Sequence, residues 1–417
     1  MLNNYICALD IGSSKIAVVL AEFKKKKLIN ICFDSLSVKG MKEGAIIDST
    51  NLIGMVSKIL KGLKAKSGVN IKFVSVNISG QDIITKHSRA VIPLAERGNK
   101  VISIADIQRV NEQARILGSS LEDEIIHMIP LNYSIDAKSD ILNPLGLYSH
   151  KLEVDLYLVC SKLSSVQSLT RIISQSGYEI KDLFLSGIAT SKAVFGPGLK
   201  DGLNILCDLG SDTTELLIFK EGLLKDIQVL PFGGNDLTRK LSENLKIPMD
   251  LAEDIKRSYG FVGNPQDIGE DKEILVKKNE FYKPIKQRLV SEVVTTAAGE
   301  VCLKIKEALE KRVELYEVNN FIIVGRTILL GGFIETLEKA LNLPVKLGRI
   351  NNLEIISLIK ENSGLSGQKY LNYLTCLGMI CETLEKKPLG TLPLYQPAKN
   401  IVLKTLNRVK EVYQEYF

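Results

Sequence analysis

The chain has 417 residues, too many for one compact domain, and this length predicts two to four domains with apolar cores of their own. Its hydrophobic fraction of 45% and charged fraction of 24% exclude the composition of a disordered chain. The formal charge of +6 comes from 54 basic and 48 acidic residues without a long basic stripe, so no nucleic-acid partner is expected.

The cysteines and histidines further limit the class of protein that this sequence can encode. The seven cysteines are scattered, mostly within apolar segments, without a CxxC pair or a preceding secretory signal, which fits a reducing cytoplasm. The three histidines lack metal-ligand spacing, and the longest apolar runs fall short of the about 20 residues that a membrane span requires. Neither a histidine metal centre nor a transmembrane helix is expected.

The first elements in chain order predict an α/β domain. Two strands, 5–9 and 16–22, are joined by a polar turn, and the basic run 24–27 is predicted as the solvated tip of the next hairpin. A helix with helical apolar spacing from Leu52 to Leu63 ends near Gly68, before a strand at 73–78. Strands and helices therefore alternate, as they do in α/β folds.

A small inserted domain is predicted at 83–162, where the pattern changes. Its predicted elements are a strand at 90–94, a helix at 103–117 and strands near 125–135 and 152–160. The α/β pattern then resumes with a helix around 166–176, which ends at Gly177, and a strand at 183–185.

A second strand, polar turn and strand begin near the middle of the chain, at 204–219. The two turns share Asp-x-Gly-Ser, starting at Asp10 and at Asp208, which lie 198 positions apart. This repetition predicts two related halves and a weak internal duplication.

Both turns carry groups that surround a phosphate. Glycine permits close approach, while backbone N–H groups, hydroxyls and a lysine supply donors. The carboxylates of Asp10 and Asp208 would face each other across a cleft, where they suit a Mg²⁺ ion held through water. Either turn alone is weak evidence, because Asp-x-Gly turns are common. The candidate phosphate ligands are Gly12, Ser13, Ser14, Lys15, Gly210, Thr213 and Thr214.

A third segment, 325–332, is predicted as a strand that ends in a double glycine, where an adenosine could pack. Three loops in this order resemble the actin-like ATPase superfamily, in which two phosphate loops and an adenosine loop enclose ATP between related lobes. Surrounding segments narrow the resemblance to the FtsA family of bacterial cell-division proteins, over about residues 5–381. These segments are 40–48 (GMKEGAIID), 78–80 (ISG), 127–136 (HMIPLNYSID), 143–146 (NPLG), 231–238 (PFGGNDLT), 252–256 (AEDIK) and 259–260 (YG).

The resemblance implies a fold and a domain plan. The fold would be actin-like α/β, with two related lobes around a nucleotide cleft, a small α+β domain inserted in the first lobe, and a C-terminal amphipathic helix. The first lobe would consist of 1–82 and 163–200, completed by about 365–385, and the insert would be 83–162. The second lobe would consist of 201–235 and 318–364, with a small nucleotide- and FtsZ-binding subdomain at 236–317. A linker at 386–397 and the helix at 398–417 would follow.

The resemblance also implies ATP and Mg²⁺ as cofactors. Gly331 and Gly332 would flank the adenosine, Gly234 would belong to the site, and Glu253 and Lys256 would contact ribose and base. Without the resemblance, Glu253 and Lys256 would be interpreted as an exposed helical pair three residues apart, worth a few tenths of a kcal/mol.

Three departures from the family pattern affect the expected activity. Ser211 and Asp212 replace a Gly-Gly pair that relatives often carry beside the phosphates, which predicts weaker nucleotide binding. Ser186 stands where family members commonly have a Gln or Glu that orients the attacking water, so hydrolysis should be slow or absent. Phe333 replaces a third glycine of the adenosine loop and could stack on the base.

The end of the chain has the pattern of an amphipathic helix. Apolar residues fall on one stripe at 100° per residue, opposite charged ones. Such a helix can lie in a membrane interface with Lys399, Lys404, Arg408 and Lys410 near anionic headgroups, or dock on the protein's own core. The FtsA resemblance favours the membrane. The stripe consists of Val402, Leu406, Val409, Val412, Tyr413, Tyr416 and Phe417.

Together these features predict a nucleotide-gated adaptor, at most a weak ATPase. As the resemblance implies, it would self-associate, bind the C-terminal peptide of FtsZ at the cytoplasmic face of the membrane at the division site, and contact other division proteins through the insert. A PilM-like pilus-assembly adaptor of the same fold is the alternative, although it leaves the amphipathic tail unexplained. A metabolic kinase would need a base carboxylate between the lobes, and none is assigned.

Overall fold

The computed structural model of the chain describes residues 5–24, 27–38, 40–42, 44–95, 98–136, 138–196, 201–264, 273–278, 281–361 and 368–384. The predicted linker at 386–397 and the amphipathic helix at 398–417 lie outside these residues. Within them, no helix is long and apolar enough to cross a membrane.

The strands and helices alternate as the sequence predicts. The strands are β1 (Tyr5–Ile11), β2 (Lys15–Lys24), β3 (Lys27–Ser37), β4 (Met41–Lys42), β5 (Ala45–Ile46), β6 (Phe73–Ile78), β7 (Ile83–Pro93), β8 (Lys100–Val101), β9 (Asp123–Ile135), β10 (Lys138–Ile141), β11 (Tyr148–Ser149), β12 (Lys151–Lys162), β13 (Glu179–Leu185), β14 (Leu203–Leu209), β15 (Thr214–Lys220), β16 (Leu223–Leu230), β17 (Glu273–Lys278), β18 (Phe281–Lys286), β19 (Val318–Val324) and β20 (Val345–Leu347). The helices are α1 (Ser49–Ser67), α2 (Ile104–Gly118), α3 (Leu163–Gln175), α4 (Ser186–Val194), α5 (Gly234–Leu245), α6 (Met249–Tyr259), α7 (Gln287–Glu310), α8 (Phe333–Leu341), α9 (Leu353–Glu361) and α10 (Leu374–Leu384).

The first lobe is a five-stranded sheet in the order β13-β6-β1-β2-β3. Its central strands are mostly apolar on both faces because both faces are covered, as expected for a sheet between two helical layers. Alternate residues of β1 show this directly: Leu9 belongs to the core that contains α1 and α3, whereas Ala8 belongs to the core that contains α4 and α10. Helix α1 ends where it was predicted, because Gly68 adopts the left-handed conformation with φ 71°.

The second lobe repeats this arrangement. Its five-stranded sheet has the order β16-β15-β14-β19-β20, so a hairpin again leads to a third antiparallel strand on one side and to two parallel strands on the other. The predicted relation between the two halves is confirmed at the level of topology. Helices α4 and α10 lie between the two sheets and share one apolar core with residues of both.

The insert forms a separate four-stranded antiparallel sheet, β10-β9-β12-β7, with α2 packed on one face. Helix α2 begins at a capping box, in which the Ser103 side chain accepts from the Asp106 N–H and the Asp106 carboxylate accepts from the Ser103 N–H. Helices α5, α6 and α7 extend the core of the second lobe, together with the hairpin β17-β18. These layers leave a cleft between the two lobes.

Candidate nucleotide-binding cleft

A cavity of about 390 Å³ lies between the two lobes. This volume falls within the range of about 300–1,000 Å³ that is usual for small-molecule sites. The structure brings most of the predicted site residues to its wall. Those residues are Asp10, Gly12, Ser13, Ser14, Lys15, Asp208, Gly210, Thr213, Gly234, Glu253 and Lys256.

The two predicted phosphate turns have the same backbone geometry. The N–H of Gly12 donates to the Lys15 carbonyl at 2.9 Å, and the N–H of Gly210 donates to the Thr213 carbonyl at 3.0 Å. Each hydrogen bond closes the turn of a hairpin at equivalent places in the two sheets, between β1 and β2 and between β14 and β15. A Cβ on Gly210 would lie 2.7 Å from the Thr213 carbonyl oxygen, so only glycine fits that turn without a shift. The cleft therefore carries one such turn from each lobe.

Thr214 is the exception among the turn residues. Its hydroxyl donates to the Phe232 carbonyl at 2.8 Å and the residue is fully buried in β15. Thr214 supports the second turn through this hydrogen bond and does not contribute to the cavity wall.

Asp10 and Asp208 line the same cavity and influence each other electrostatically. Asp10 is buried, accepts a hydrogen bond from Asn77 Nδ2 at 2.8 Å, and its Oδ2 lies 3.8 Å from Lys15 Nζ. Burial raises its pKa, although the charge of Lys15 opposes the shift. Burial and the charge of Asp10 raise the pKa of Asp208 to about 6, and Thr190 donates to Asp208 at 3.3 Å.

The two carboxylates fit Mg²⁺ through water better than by direct coordination. In the described residues no group of three or more His, Cys, Asp or Glu side chains could hold a metal ion. Mg²⁺, however, usually keeps several waters and takes only one or two protein carboxylates. Burial is the main cause of the raised pKa of Asp208, and the repulsion from Asp10 that adds to it would be relieved by a cation between the two groups.

On the other side of the cleft, Lys256 is 3% exposed, so the interpretation of Glu253 and Lys256 as an exposed surface pair is wrong. Its ammonium donates to the Gly234 carbonyl at 2.9 Å and to the Thr238 hydroxyl at 2.7 Å, and it lies 2.6 Å from Glu253 Oε2. Burial lowers the pKa of Lys256, while Glu253 opposes the shift. These contacts hold the two predicted nucleoside-side residues at the cavity wall.

The third loop differs from the sequence prediction. Strand β19 ends at Val324 rather than at the double glycine, and Thr327–Leu329 form a short 3₁₀ turn. The chain turns at Gly325, which has φ 113° and lies so close to β14 that a Cβ would be 2.1 Å from the Leu209 carbonyl oxygen. Gly325, Arg326 and Thr327 therefore line the cavity.

Gly331 and Gly332 lie behind that loop and not at the cavity wall. Gly331 forms an isolated β-bridge with Phe261, and a Cβ on Gly332 would lie 1.7 Å from the Val262 carbonyl oxygen. Phe333, the first residue of α8, is fully buried in the core of the second lobe. The possibility that it stacks on a base, which the sequence left open, is therefore excluded by its burial.

The three polar residues that differ from the family pattern, Ser186, Ser211 and Asp212, all line the cavity. The Ser186 hydroxyl accepts from Asn77 Nδ2 at 2.8 Å and lies 3.4 Å from the Ile78 carbonyl, so it is already engaged. Asn235 anchors the second turn, because its side chain donates to Asp212 Oδ1 at 2.6 Å and its N–H donates to the Ser211 carbonyl at 2.7 Å. The Asp212 charge is thus partly satisfied by an amide.

The cavity wall also contains residues that sequence reasoning missed. Asn77 fixes both Asp10 and the start of the first turn, because its Oδ1 accepts from the Ile11 N–H at 2.7 Å. Glu215 is buried, and burial together with the charge of Asp208 raises its pKa to about 8. The signal for both was a polar residue inside an otherwise apolar strand. The missed residues are Asn77, Thr190, Glu215 and Arg257, and within the predicted loop 325–332 the sequence pointed to Gly331 and Gly332 instead of Gly325, Arg326 and Thr327.

Comparisons with known proteins show which family this chain resembles in sequence. A family model described as cell division protein FtsA matches residues 205–372, and a model of the SHS2 domain inserted in FTSA matches residues 80–160. The FtsA protein of Borreliella burgdorferi is 26% identical over 353 residues, which cover 84% of this chain and 85% of the relative.

Two solved structures show the fold. A PilM-PilN type IV pilus biogenesis complex has a TM-score of 0.62 at 14% identity, covering 91% of this chain and 99% of the other. MreB5 of Spiroplasma citri bound to ADP has a TM-score of 0.50 at 12% identity, covering 86% of this chain and 96% of the other. The paired lobes and their facing turns define an actin-like fold. Within that class, the chain belongs to the FtsA family.

Proposed function

We propose that this chain is a cell-division adaptor that binds ATP with Mg²⁺ between its lobes, self-associates and tethers FtsZ polymers to the cytoplasmic face of the membrane at the division site. The observation that carries the proposal is the pair of equivalent turns, at Gly12 and Gly210, that face one cavity together with two carboxylates. The description of the curated relatives as cell-division proteins supports the division role, and the MreB5 structure with bound ADP supports the nucleotide.

In this proposal each group of the cleft has one task. The two turns bind the phosphates through Gly12, Ser13, Ser14, Lys15, Gly210 and Thr213, with Thr214 behind them. Asp10 and Asp208 hold the hydrated Mg²⁺, which when bound would neutralise phosphate charge. Gly234, Glu253 and Lys256 face the nucleoside, and Gly331 and Gly332 support the loop beside it.

Bound nucleotide would stabilise the closed cleft, because its phosphates contact one turn from each lobe. A ligand that binds one arrangement of the lobes more tightly shifts the population toward it. If that arrangement is the self-associating one, ATP promotes assembly, and assembly multiplies weak membrane contacts through avidity.

Hydrolysis is proposed to be slow. The Ser186 hydroxyl is short and already bonded to Asn77 and the Ile78 carbonyl, so it is poorly suited to orient an attacking water. Turnover at or above about one per second, as in an ordinary ATPase, would contradict this part of the proposal.

Membrane attachment is tested by co-sedimentation of the full chain with anionic liposomes, beside a chain truncated after Leu394. The proposal predicts that only the full chain pellets. Val409→Asp places a charge on the apolar stripe and should reduce pelleting, whereas the matched Gln414→Asp adds the same charge off the stripe and should not. If the full chain does not pellet at any protein concentration or nucleotide state, the tether is contradicted.

The PilM-like alternative draws support from the fold likeness to the PilM-PilN complex, which at 14% identity concerns the fold alone. Binding of the FtsZ C-terminal peptide to the full chain separates the two functions. Saturable binding supports the division adaptor, and its absence alongside ATP binding would favour the pilus-assembly role.

A further inference from the structure

Arg326 crosses the cleft from the second lobe to the first. It follows the turn at Gly325 and lines the cavity, and its Nη2 donates to Ser14 Oγ at 2.8 Å. Ser14 belongs to the first phosphate turn. The guanidinium of a second-lobe residue therefore lies directly beside the predicted phosphate site of the first lobe.

Arg326 is one of four cations at the cavity wall, beside Lys15, Lys256 and Arg257. Lys15 lies 3.8 Å from a carboxylate oxygen of Asp10, and Lys256 lies 2.6 Å from one of Glu253. The charges of Glu253 and Asp10 also act on Arg326, but its hydrogen bond to the first turn ends on a neutral hydroxyl. Half-burial strengthens any contact that this guanidinium makes with an anion, because the local dielectric is lower than that of water.

We propose that Arg326 binds the phosphate groups of the nucleotide and supplies part of the positive charge that Mg²⁺ would otherwise provide. The inference rests on the proposed nucleotide site. A guanidinium has a planar set of donors that matches phosphate oxygens in a bidentate contact, and it stays charged in proteins. The phosphate would replace Ser14 as the acceptor. The cleft therefore binds ATP with only a weak dependence on Mg²⁺.

A purely structural role makes a different prediction. If Arg326 only connects the lobes through Ser14, its removal lowers ATP affinity by the same factor with and without metal. If it supplies charge to the phosphates, its removal lowers ATP affinity most when no metal is present. The ratio of the ATP affinities measured with and without metal therefore distinguishes a structural role from a phosphate-binding role, independently of any hydrolysis.

The test is calorimetric titration of ATP into the full chain, in Mg²⁺ and in EDTA. Wild type should lose less than about threefold in affinity on chelation, whereas Arg326→Gly should lose about tenfold or more. Arg326→Lys keeps the charge without the planar fork and should fall between them. Arg312→Gly is the matched control, because Arg312 pairs with Asp226 beside another cavity, and it should behave as wild type.

Two kinds of result would overturn the inference, and they are distinguishable. If wild type binds ATP in Mg²⁺ and loses affinity in EDTA by the same factor as Arg326→Gly does, whether that factor is small or about tenfold or more, the nucleotide site stands and the role of Arg326 is refuted. If wild type binds ATP under neither condition, the proposed function fails and the inference fails with it. Thermal unfolding of each variant without nucleotide confirms that a loss of affinity is not a loss of fold.

Discussion

The backbone N–H of Gly187 donates a hydrogen bond of 2.6 Å to Oε2 of Glu215. Gly187 is the second residue of α4, and Glu215 follows Thr214 on β15, so this bond joins the two lobes beneath the candidate nucleotide cleft. Both residues are buried, and the hydrogen bond opposes the rise in the pKa of Glu215 that burial and Asp208 cause.

Glu215 predicts a pH dependence of stability. Its pKa is about 8 in the folded chain, because of burial and Asp208, against about 4.3 in the unfolded chain. The folded state thus binds more protons between these values, so stability is lost as pH rises from about 4.3 through 8. Glu215→Gln should remove a loss on the order of 4 kcal/mol across this window, measured by urea unfolding at pH 5 and pH 8.5. Equal losses in variant and wild type would contradict it.

Gly187→Ala should destabilise the chain by about 1–3 kcal/mol. An added Cβ would lie 2.6 Å from Glu215 Oε2 and 2.4 Å from Leu217 Cδ1, so these two buried side chains would have to shift. Gly54→Ala, in the exposed face of α1 with nothing within 4 Å, is the control and should stabilise by about 0.5–1 kcal/mol. Urea unfolding checks both predictions. A Gly187→Ala variant as stable as wild type would show that the neighbouring side chains move aside without a measurable cost.

Tyr157→Phe should weaken the attachment of the insert to the second lobe. The Tyr157 hydroxyl donates to Asp226 Oδ1 at 3.2 Å and accepts from the Ile227 N–H at 3.0 Å, at a residue only 2% exposed. Its removal leaves a buried N–H without its partner, at a cost of about 1–3 kcal/mol. Tyr148→Phe, 68% exposed in the same insert, should change the unfolding free energy by less than about 0.5 kcal/mol. Equal effects of the two substitutions on the unfolding free energy would contradict an attachment of the insert through Tyr157.

Local patterns predicted the two hairpins and their turns, because apolar strands around Asp-x-Gly-Ser are a short-range signal. The apolar spacing of α1 and the left-handed Gly68 likewise placed that helix within a few residues. Repetition of one signal in both halves was enough to predict two related lobes.

Contacts between distant segments were not predictable in the same way. The third loop was misplaced because the double glycine at 331–332 looked like the turn, whereas the chain turns at Gly325, where it approaches Leu209 of another strand too closely for a side chain. The burial of Lys256 depends on Gly234 and Thr238 of the preceding helix. The bond between Gly187 and Glu215 likewise depends on how the lobes pack, which no local pattern encodes.

Calorimetric titration of ATP into wild type and Gly12→Ala tests the proposed cleft most directly. A Cβ on Gly12 would lie 3.4 Å from the Lys15 carbonyl oxygen, an ordinary contact, so the fold should tolerate it with a midpoint shift under about 2 °C. The added methyl would, however, stand where phosphates must approach the turn. We predict that ATP affinity falls about tenfold or more in Gly12→Ala and is unchanged in Gly54→Ala. Equal ATP affinity in Gly12→Ala and wild type would contradict phosphate binding at this turn.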